Sequence, residues 1–326
     1  MYKANTAPEV RIKSTTGNPS RSCNIREYRP TDTLPEVAIL MCVYHADDIP
    51  QFRLAMESLL GQTYPAEKIH IYLCLDGKAD AQLMEAIFSF SKDIHRFLIN
   101  TRNIGLANSL NRLIEALEGE KYAFRMDADD ICDPRRIAQQ VTFMESRSSL
   151  MVSGCSCYEI DQHGEILRAR DFPETNEEIR RLITRFQPLL HPTLCFRASL
   201  FQDPKMRYRN VHLTEDLDFF FRIAASGHEL GNHGERLFQW RITPQFYGRR
   251  RGKRILAEFK TYVVGIWRLH GLTWRLVYPG IRLVFRLMPT QLVSTIYNSP
   301  LRLRLVGSAH TIEQHPAHVI TRTAHE

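Results

Sequence analysis

Val37-Ala-Ile-Leu-Met-Cys-Val-Tyr44 is an almost unbroken apolar run, and it limits the possible folds more than any other feature of the chain. A strand with one wet face alternates apolar and polar residues. One that is apolar throughout must be covered on both sides, as in a parallel sheet flanked by helices. Ile69-His-Ile-Tyr-Leu-Cys-Leu75 has the same character and stops at Asp76-Gly77, a turn signal. Between the two, Phe52, Met56, Leu59 and Leu60 recur at helical spacing within Ile49 to Leu60. The alternation predicts a helix over Ala81 to Phe90, a strand near Arg96 to Asn100, a helix over Leu106 to Leu117 and a strand at Lys121 to Met126. The expected fold class is α/β, an open, mostly parallel, doubly wound sheet.

Ligands of such sheets sit beyond the carboxyl ends of the strands. Asp76, Asn103 and Asp127 all fall at or just after those ends, so one crevice can collect them. Further along, Asp133-Pro134 opens a helix running to about Glu145. Strands near Leu150 to Ile160 and Thr193 to Phe196 extend the sheet, with Asp161-Gln-His-Gly164 as a turn, and Thr214 caps a helix that stops at Gly227.

Asp127-Ala-Asp129-Asp130 follows a strand end, where two carboxylates one residue apart can share a hard divalent cation, Mg²⁺ or Mn²⁺, and leave positions for phosphate oxygens. Such triplets are also common in turns. Thr214-Glu215-Asp216 stands at a helix start, where acidic residues are favoured by the helix dipole; one of them could equally accept a proton from an attacking hydroxyl. His191 in His191-Pro-Thr193 is as readily structural as catalytic. The Arg249-Arg-Arg251 run with Lys253 and Arg254 could bind diphosphate or lipid, or simply face solvent.

Charge is unevenly distributed. Residues 241–306 hold thirteen Lys and Arg against the single acid Glu258, while the whole chain is only +7. A basic tail on an acidic body suits an anionic partner, and the body lacks the basic, aromatic face or module that nucleic-acid binding needs. From Arg249 onward, Phe259, Tyr262, Val263, Ile266, Trp267, Trp274 and Phe285 are threaded with Arg268, Arg275, Arg282 and Arg286. The arginines at 268, 275 and 282 would align on one face of a continuous helix, but Gly271, Pro279 and Gly280 break it into two or three short interfacial helices. A bilayer span needs roughly 20 mostly apolar residues, and Arg or Pro interrupts every candidate here. Contact with an anionic membrane surface is expected, against the alternative of a helical cap on the catalytic domain or on a second subunit. The expected division is a flexible leader at 1–33, a catalytic domain at 34–248, a basic aromatic-rich helical region at 249–306 and a flexible tail at 307–326. The leader lacks the apolar stretch of a secretory signal, and the seven scattered cysteines are expected as reduced thiols of a cytoplasmic protein.

Taken in order, these segments resemble the family 2 glycosyltransferases, the inverting group with the GT-A fold. The resemblance spans Val37 to Gly248. It is carried by Val37 to Tyr44; Leu60-Gly-Gln-Thr-Tyr-Pro65; Asn103-Ile-Gly-Leu-Ala107 through Asn111; Gly119 to Asp130 with Pro134; Ile160-Asp161 with Gly164; His191-Pro-Thr193 with Phe196-Arg197; and Glu215-Asp216-Leu-Asp218 with Arg222. The resemblance implies a nucleotide-diphosphate sugar as donor, UDP-linked, and a glycan or lipid-linked oligosaccharide as acceptor, in surface polysaccharide assembly. Tyr44 and Asp76 would lie against the base, with Asp76 accepting from a uracil N–H. The backbone near Cys42 and from Asn103 to Gly105 would shape the ribose pocket, Asp127 and Asp129 would hold the metal at the diphosphate, and Asp216 would be the general base.

The chain departs from the family's pattern in two places. A single Asp76 followed by Gly77 stands where many relatives have two Asp, and Trp240-Arg241-Ile242-Thr243 stands where Tyr-Arg-x-His is common. Lack of a Gln-x-x-Arg-Trp motif favours addition of one sugar. Two rival readings fit the residues less well. A sugar-phosphate nucleotidyltransferase would carry a Gly-rich basic loop where Tyr44-His-Ala-Asp-Asp-Ile49 stands, and a non-catalytic membrane-surface protein would have no use for Asp127, Asp129 and Asp216 together.

Overall fold

The computed structural model describes residues 34–211, 213–242 and 253–287. The expected leader, the Arg249-Arg-Arg251 run, the boundary between 248 and 249 and the tail at 307–326 lie outside these residues. Four parallel strands form one half of the sheet: β1 (Val37–Val43), β2 (Ile69–Asp76), β3 (Ile94–Asn100) and β4 (Tyr122–Asp127), in the spatial order β3-β2-β1-β4. Helices α1 (Ile49–Leu60), α2 (Ala81–Ser89) and α3 (Leu106–Glu115) connect them. Asp48 and Asp80 start the first two, their side chains accepting from Gln51 N and Leu83 N.

The chain then adds β5 (Ile131–Cys132), α4 (Arg136–Glu145), β6 (Leu150–Ile160), β7 (Ile166–Arg170), α5 (Asn176–Leu182), β8 (Cys195–Arg197), α6 (Glu215–Ala225) and β9 (Glu229–Arg241). β8 enters antiparallel between β4 and β6, and the nine-stranded sheet runs β3-β2-β1-β4-β8-β6-β9-β5 with β7 on the side of β6. β9 is absent from the sequence reading because Gly231-Asn-His-Gly-Glu-Arg236 has neither strand periodicity nor apolar content. It becomes a strand by pairing parallel to β6 along most of its length.

Both faces of the sheet are covered, as the apolar runs required. Val37, Ile39, Met41 and Val43 of β1 turn toward α1, α2 and α4 in one apolar cluster; Ala38 and Leu40 turn the other way, toward α3, α5 and α6. The start of α6 corrects the expected cap. Thr214 makes no side-chain cap; its hydroxyl bonds Val211 O at 2.9 Å and Thr261 Oγ1 at 3.1 Å. The end of α6 is as expected, with Gly227 at φ +85.

Thr261 belongs to α7 (Lys253–His270), which is followed by α8 (Val277–Leu287). α7 packs directly on α6: Tyr262 meets Phe221 edge-on at 5.8 Å, Ile266 joins the same core, and a Cβ at Gly265 would lie 2.3 Å from the Phe221 ring. The break at Gly271 (φ +66) is as expected, whereas Pro279 and Gly280 interrupt nothing. Both stand in the first turn of α8, where a missing N–H is tolerated. Arg282 does not share an outward face with Arg268, because it is drawn inward onto Glu258 Oε1 at 2.7 Å and Arg185 O at 3.3 Å. Among the described residues no helix is long and apolar enough to cross a membrane.

Candidate active site

Parallel register sets the site. Cys42 pairs with Cys74 on one side and Asp127 on the other, so β1, β2 and β4 end nearly level. The loops beyond those ends form one rim. Tyr44 follows β1 in a turn closed by Tyr44 N to Asp47 Oδ2 at 2.9 Å and Asp47 N to Tyr44 O at 3.0 Å. The half-buried Cys42 lies against Cys74, and that contact, with burial, holds the Cys42 thiol well above its ordinary range. All six cysteines among the described residues are free.

Asp76 is 5% exposed and closes β2 onto the next loop. Its Oδ1 accepts from Ile104 N at 2.8 Å and Asn100 Nδ2 at 2.8 Å, and its Oδ2 accepts from Gly105 N at 2.9 Å. The carboxylate thereby holds the turn from Asn103 to Gly105 that starts α3. Gly77 completes the approach: its φ is +99, and a Cβ there would stand 2.9 Å from Asn103 N. Asn103 itself is exposed on the rim.

Asp127, Asp129 and Asp130 bring one oxygen each within 4.8 Å of one another. Their surroundings differ. Asp127 is half-buried and paired with Arg125 NH2. Burial, reinforced by the charge of Asp127, pushes the Asp129 carboxyl up to about 6. Asp130 is buried, and burial and its two acidic neighbours raise it well above the carboxylate range. Its Oδ1 accepts from Arg241 N at 2.7 Å, while Oδ2 has no partner. Three crowded carboxylates with one orphaned buried oxygen form a donor set that suits a hard divalent cation. The other such grouping among the described residues, His70, His95 and Glu120, lies at the opposite ends of the strands. There the imidazoles stack at 4.2 Å with 8° between planes, so their lone pairs run parallel and do not converge on one ion.

On a separate element, α6 presents Asp216 one residue inside its N-terminus. Gln187 Nε2 donates to Asp216 Oδ2 at 2.5 Å and Leu217 N to Oδ1 at 2.7 Å, and burial raises its pKa. Asp218 is occupied by Arg222 at 2.7 Å. His191 is buried against Tyr208 Oη at 2.9 Å and is held well below its usual range by burial and by Arg125, so it stays neutral. Arg125 and Tyr208 link the two sides. The charge of Arg125 acts on Asp129, Asp130 and Glu215, and Tyr208 lies within the field of both Arg125 and Asp216.

Sequence reasoning missed Arg125, Arg241 and Gln187. One signal was available: a lone arginine inside Tyr122-Ala-Phe-Arg-Met126, a strand covered on both faces, is a charge with nowhere to go but a partner.

Residues 38–205, just over half of the chain, match the family described as Glycosyl transferase family 2. The chain belongs to that family. This family 2 glycosyltransferase is 27% identical over 263 residues to the amylovoran biosynthesis glycosyltransferase AmsE of Erwinia amylovora, covering 80% of this chain and 97% of AmsE. Among solved structures it is similar to S. aureus TarS 1–349 in complex with UDP-GlcNAc (TM-score 0.57, 13% identity, 82% of this chain and 77% of that one). It is similar also to the mannosyltransferase PcManGT of Pyrobaculum calidifontis in complex with GDP-Man and Mn²⁺ (TM-score 0.55, 14% identity, 84% of each chain). These likenesses establish the GT-A type of fold for the enzyme, with its basic helical appendage at α7 and α8. Family membership also sets aside the nucleotidyltransferase and non-catalytic readings.

Proposed function

We propose that this glycosyltransferase inverts the anomeric centre as it moves one sugar from a nucleotide-diphosphate donor, UDP-linked, to a hydroxyl of a glycan or lipid-linked oligosaccharide in surface polysaccharide synthesis. The observation that carries the reading is the carboxylate cluster at the end of β4 together with a half-buried Asp216 at the start of α6, joined through Tyr208, which lies within the field of both Asp216 and Arg125, the partner of Asp127. Asp127 and Asp129 would hold Mg²⁺ or Mn²⁺, and such an ion supplies neutralisation of the charge that gathers on the leaving diphosphate. Tyr44, Cys42, Asn103 and Gly105 form the rim to which the base and ribose are assigned. Asp76 supports that rim from beneath, through Ile104 N and Gly105 N.

In the reaction Asp216 takes the proton of the acceptor hydroxyl. The oxygen bonds the anomeric carbon as the bond from that carbon to the diphosphate oxygen breaks on the opposite side. Burial raises Asp216 and so makes it a stronger base, while the bond from Gln187 fixes its direction.

The acceptor and membrane assignments rest on α7 and α8. Trp267 (58% exposed), Leu272 (90%) and Trp274 (67%) project from a surface that also carries Arg268 and Arg275, a composition suited to anionic headgroups on the cytoplasmic side of a membrane. AmsE, named for amylovoran biosynthesis, supports polysaccharide as the product class.

Asp216→Asn tests the reading. UDP and Mn²⁺ should still bind by calorimetry while sugar transfer to acceptor is lost; near-native turnover would sink the base assignment.

A further inference from the structure

Two guanidiniums flank the carboxylate group. Arg125 stands on β4 two residues before Asp127, hence on the same face of the sheet, and is only 1% exposed. One of its nitrogens, NH2, meets Asp127 Oδ1, while Nε and NH1 have no partner. On the other side Arg241 ends β9. Its Nε donates to Asp129 O at 2.7 Å and its NH1 to Asp161 O at 2.8 Å, and NH2 has no partner.

The two guanidiniums offset most of the charge that the three carboxylates can carry before any ion binds. A site built to capture a divalent cation by itself is better served by unopposed carboxylates. Packing does not require Arg125 either. Ala38, Leu40, Cys74 and Ala123 share its face of the sheet, and an unbranched apolar side chain would suit that setting without two bare N–H groups. A buried guanidinium left half satisfied is costly, so its presence calls for an electrostatic account.

We infer that Arg125 is an internal counter-cation that keeps the Asp127–Asp129–Asp130 site close to charge balance before any ion binds, so that the site takes its divalent ion together with the donor diphosphate rather than alone. The inference rests on the metal-site reading proposed above. A lone cation approaching Asp127 is repelled by the guanidinium already holding Oδ1. The diphosphate would bring further negative charge, and in its presence the same cation would meet a net anionic site. Arg125 is thus a positioning residue that acts through Asp127. It pins one oxygen, Oδ1, of a carboxylate that would hold the ion.

The experiment is Mn²⁺ binding to the full chain by electron paramagnetic resonance, with and without UDP, for the native enzyme, Arg125→Met and Arg125→Lys. The native enzyme should bind Mn²⁺ weakly alone and much more tightly with UDP. Removing the charge in Arg125→Met should tighten Mn²⁺ binding in the absence of UDP by about tenfold or more, the effect of deleting a cation several ångströms away in a partly wet site. Arg125→Lys keeps the charge and should remain as weak as native. Should Arg125→Met fail to fold, Arg125→Gln, neutral and hydrogen-bonding, gives the same comparison. The proposal is overturned if a folded, neutral variant binds Mn²⁺ alone no tighter than native while UDP still promotes binding in both. No Mn²⁺ binding to the native enzyme even with UDP would overturn the metal-site reading and this inference with it.

Discussion

Replacing Asp76 by Asn separates two roles for that carboxylate. In the structure it receives three hydrogen bonds at a buried position, from Ile104 N, Gly105 N and Asn100 Nδ2. Asn has the same shape but turns one acceptor oxygen into a donor. If the amide nitrogen takes the place of Oδ2, Gly105 N–H faces a donor; if it takes the place of Oδ1, both Ile104 N–H and Asn100 do. At least one hydrogen bond to a charged group is lost, about 1.5–3 kcal/mol, and a buried N–H is left without an acceptor, about 1–3 kcal/mol. Allowing for relaxation of the loop, Asp76→Asn should destabilise the enzyme by about 2–5 kcal/mol. Urea unfolding measures this as a lower midpoint at unchanged slope. UDP affinity should fall as well, because the turn from Asn103 to Gly105 loses its anchor. The opposite pattern would refute the clamp: stability within about 0.5 kcal/mol of native, the range of a surface substitution, with a selective loss of uridine over cytidine nucleotides. That result would leave base reading as the role of Asp76.

Two further outcomes are expected. Trp267→Ser and Trp274→Ser should each weaken flotation with anionic liposomes roughly tenfold, from about 50 Å² of lost apolar contact at about 25 cal/mol per Å², and unchanged flotation of the double variant would remove the membrane role. Point changes serve better than deletion from residue 249, because Tyr262 and Ile266 of α7 belong to the core. Turnover at saturating donor should fall with falling pH through a midpoint above the ordinary carboxylate range, since burial raises Asp216 and only its ionised form can accept a proton. The same elevation means that the folded state holds this proton more tightly than the unfolded one, so the stability it contributes is present at low pH and lost as pH rises through the folded value. A pH profile that stays flat down to the ordinary carboxylate range would contradict the assignment.

The parallel half of the sheet is legible in the order of residues alone, because a run such as Val37 to Val43 is apolar at every position and has one physical solution, burial on both faces. Asp76, Asn103 and Asp127 are equally legible there as lying at or just after strand ends, since chain order and sheet handedness together put those ends on one edge. What each carboxylate touches was decided only in three dimensions. Asp76 reads in sequence as a group that meets a base, and in the structure its oxygens also accept from backbone N–H groups 28 and 29 residues away. Asp130 meets Arg241 across 111 residues, and β9, which carries that arginine, has no periodic signal of its own because its strand form comes from β6. The tail likewise had two readings in sequence, a lipid-facing surface or a helical cap, and its arginines gave no way to divide them. Tertiary contact drew Arg282 inward onto Glu258 and set α7 against Phe221, while Trp267 and Trp274 stayed on the outside. Local pattern fixes which faces must be buried. Partners distant in the chain, chosen by packing and by the cost of leaving a charge alone, fix what the polar groups do.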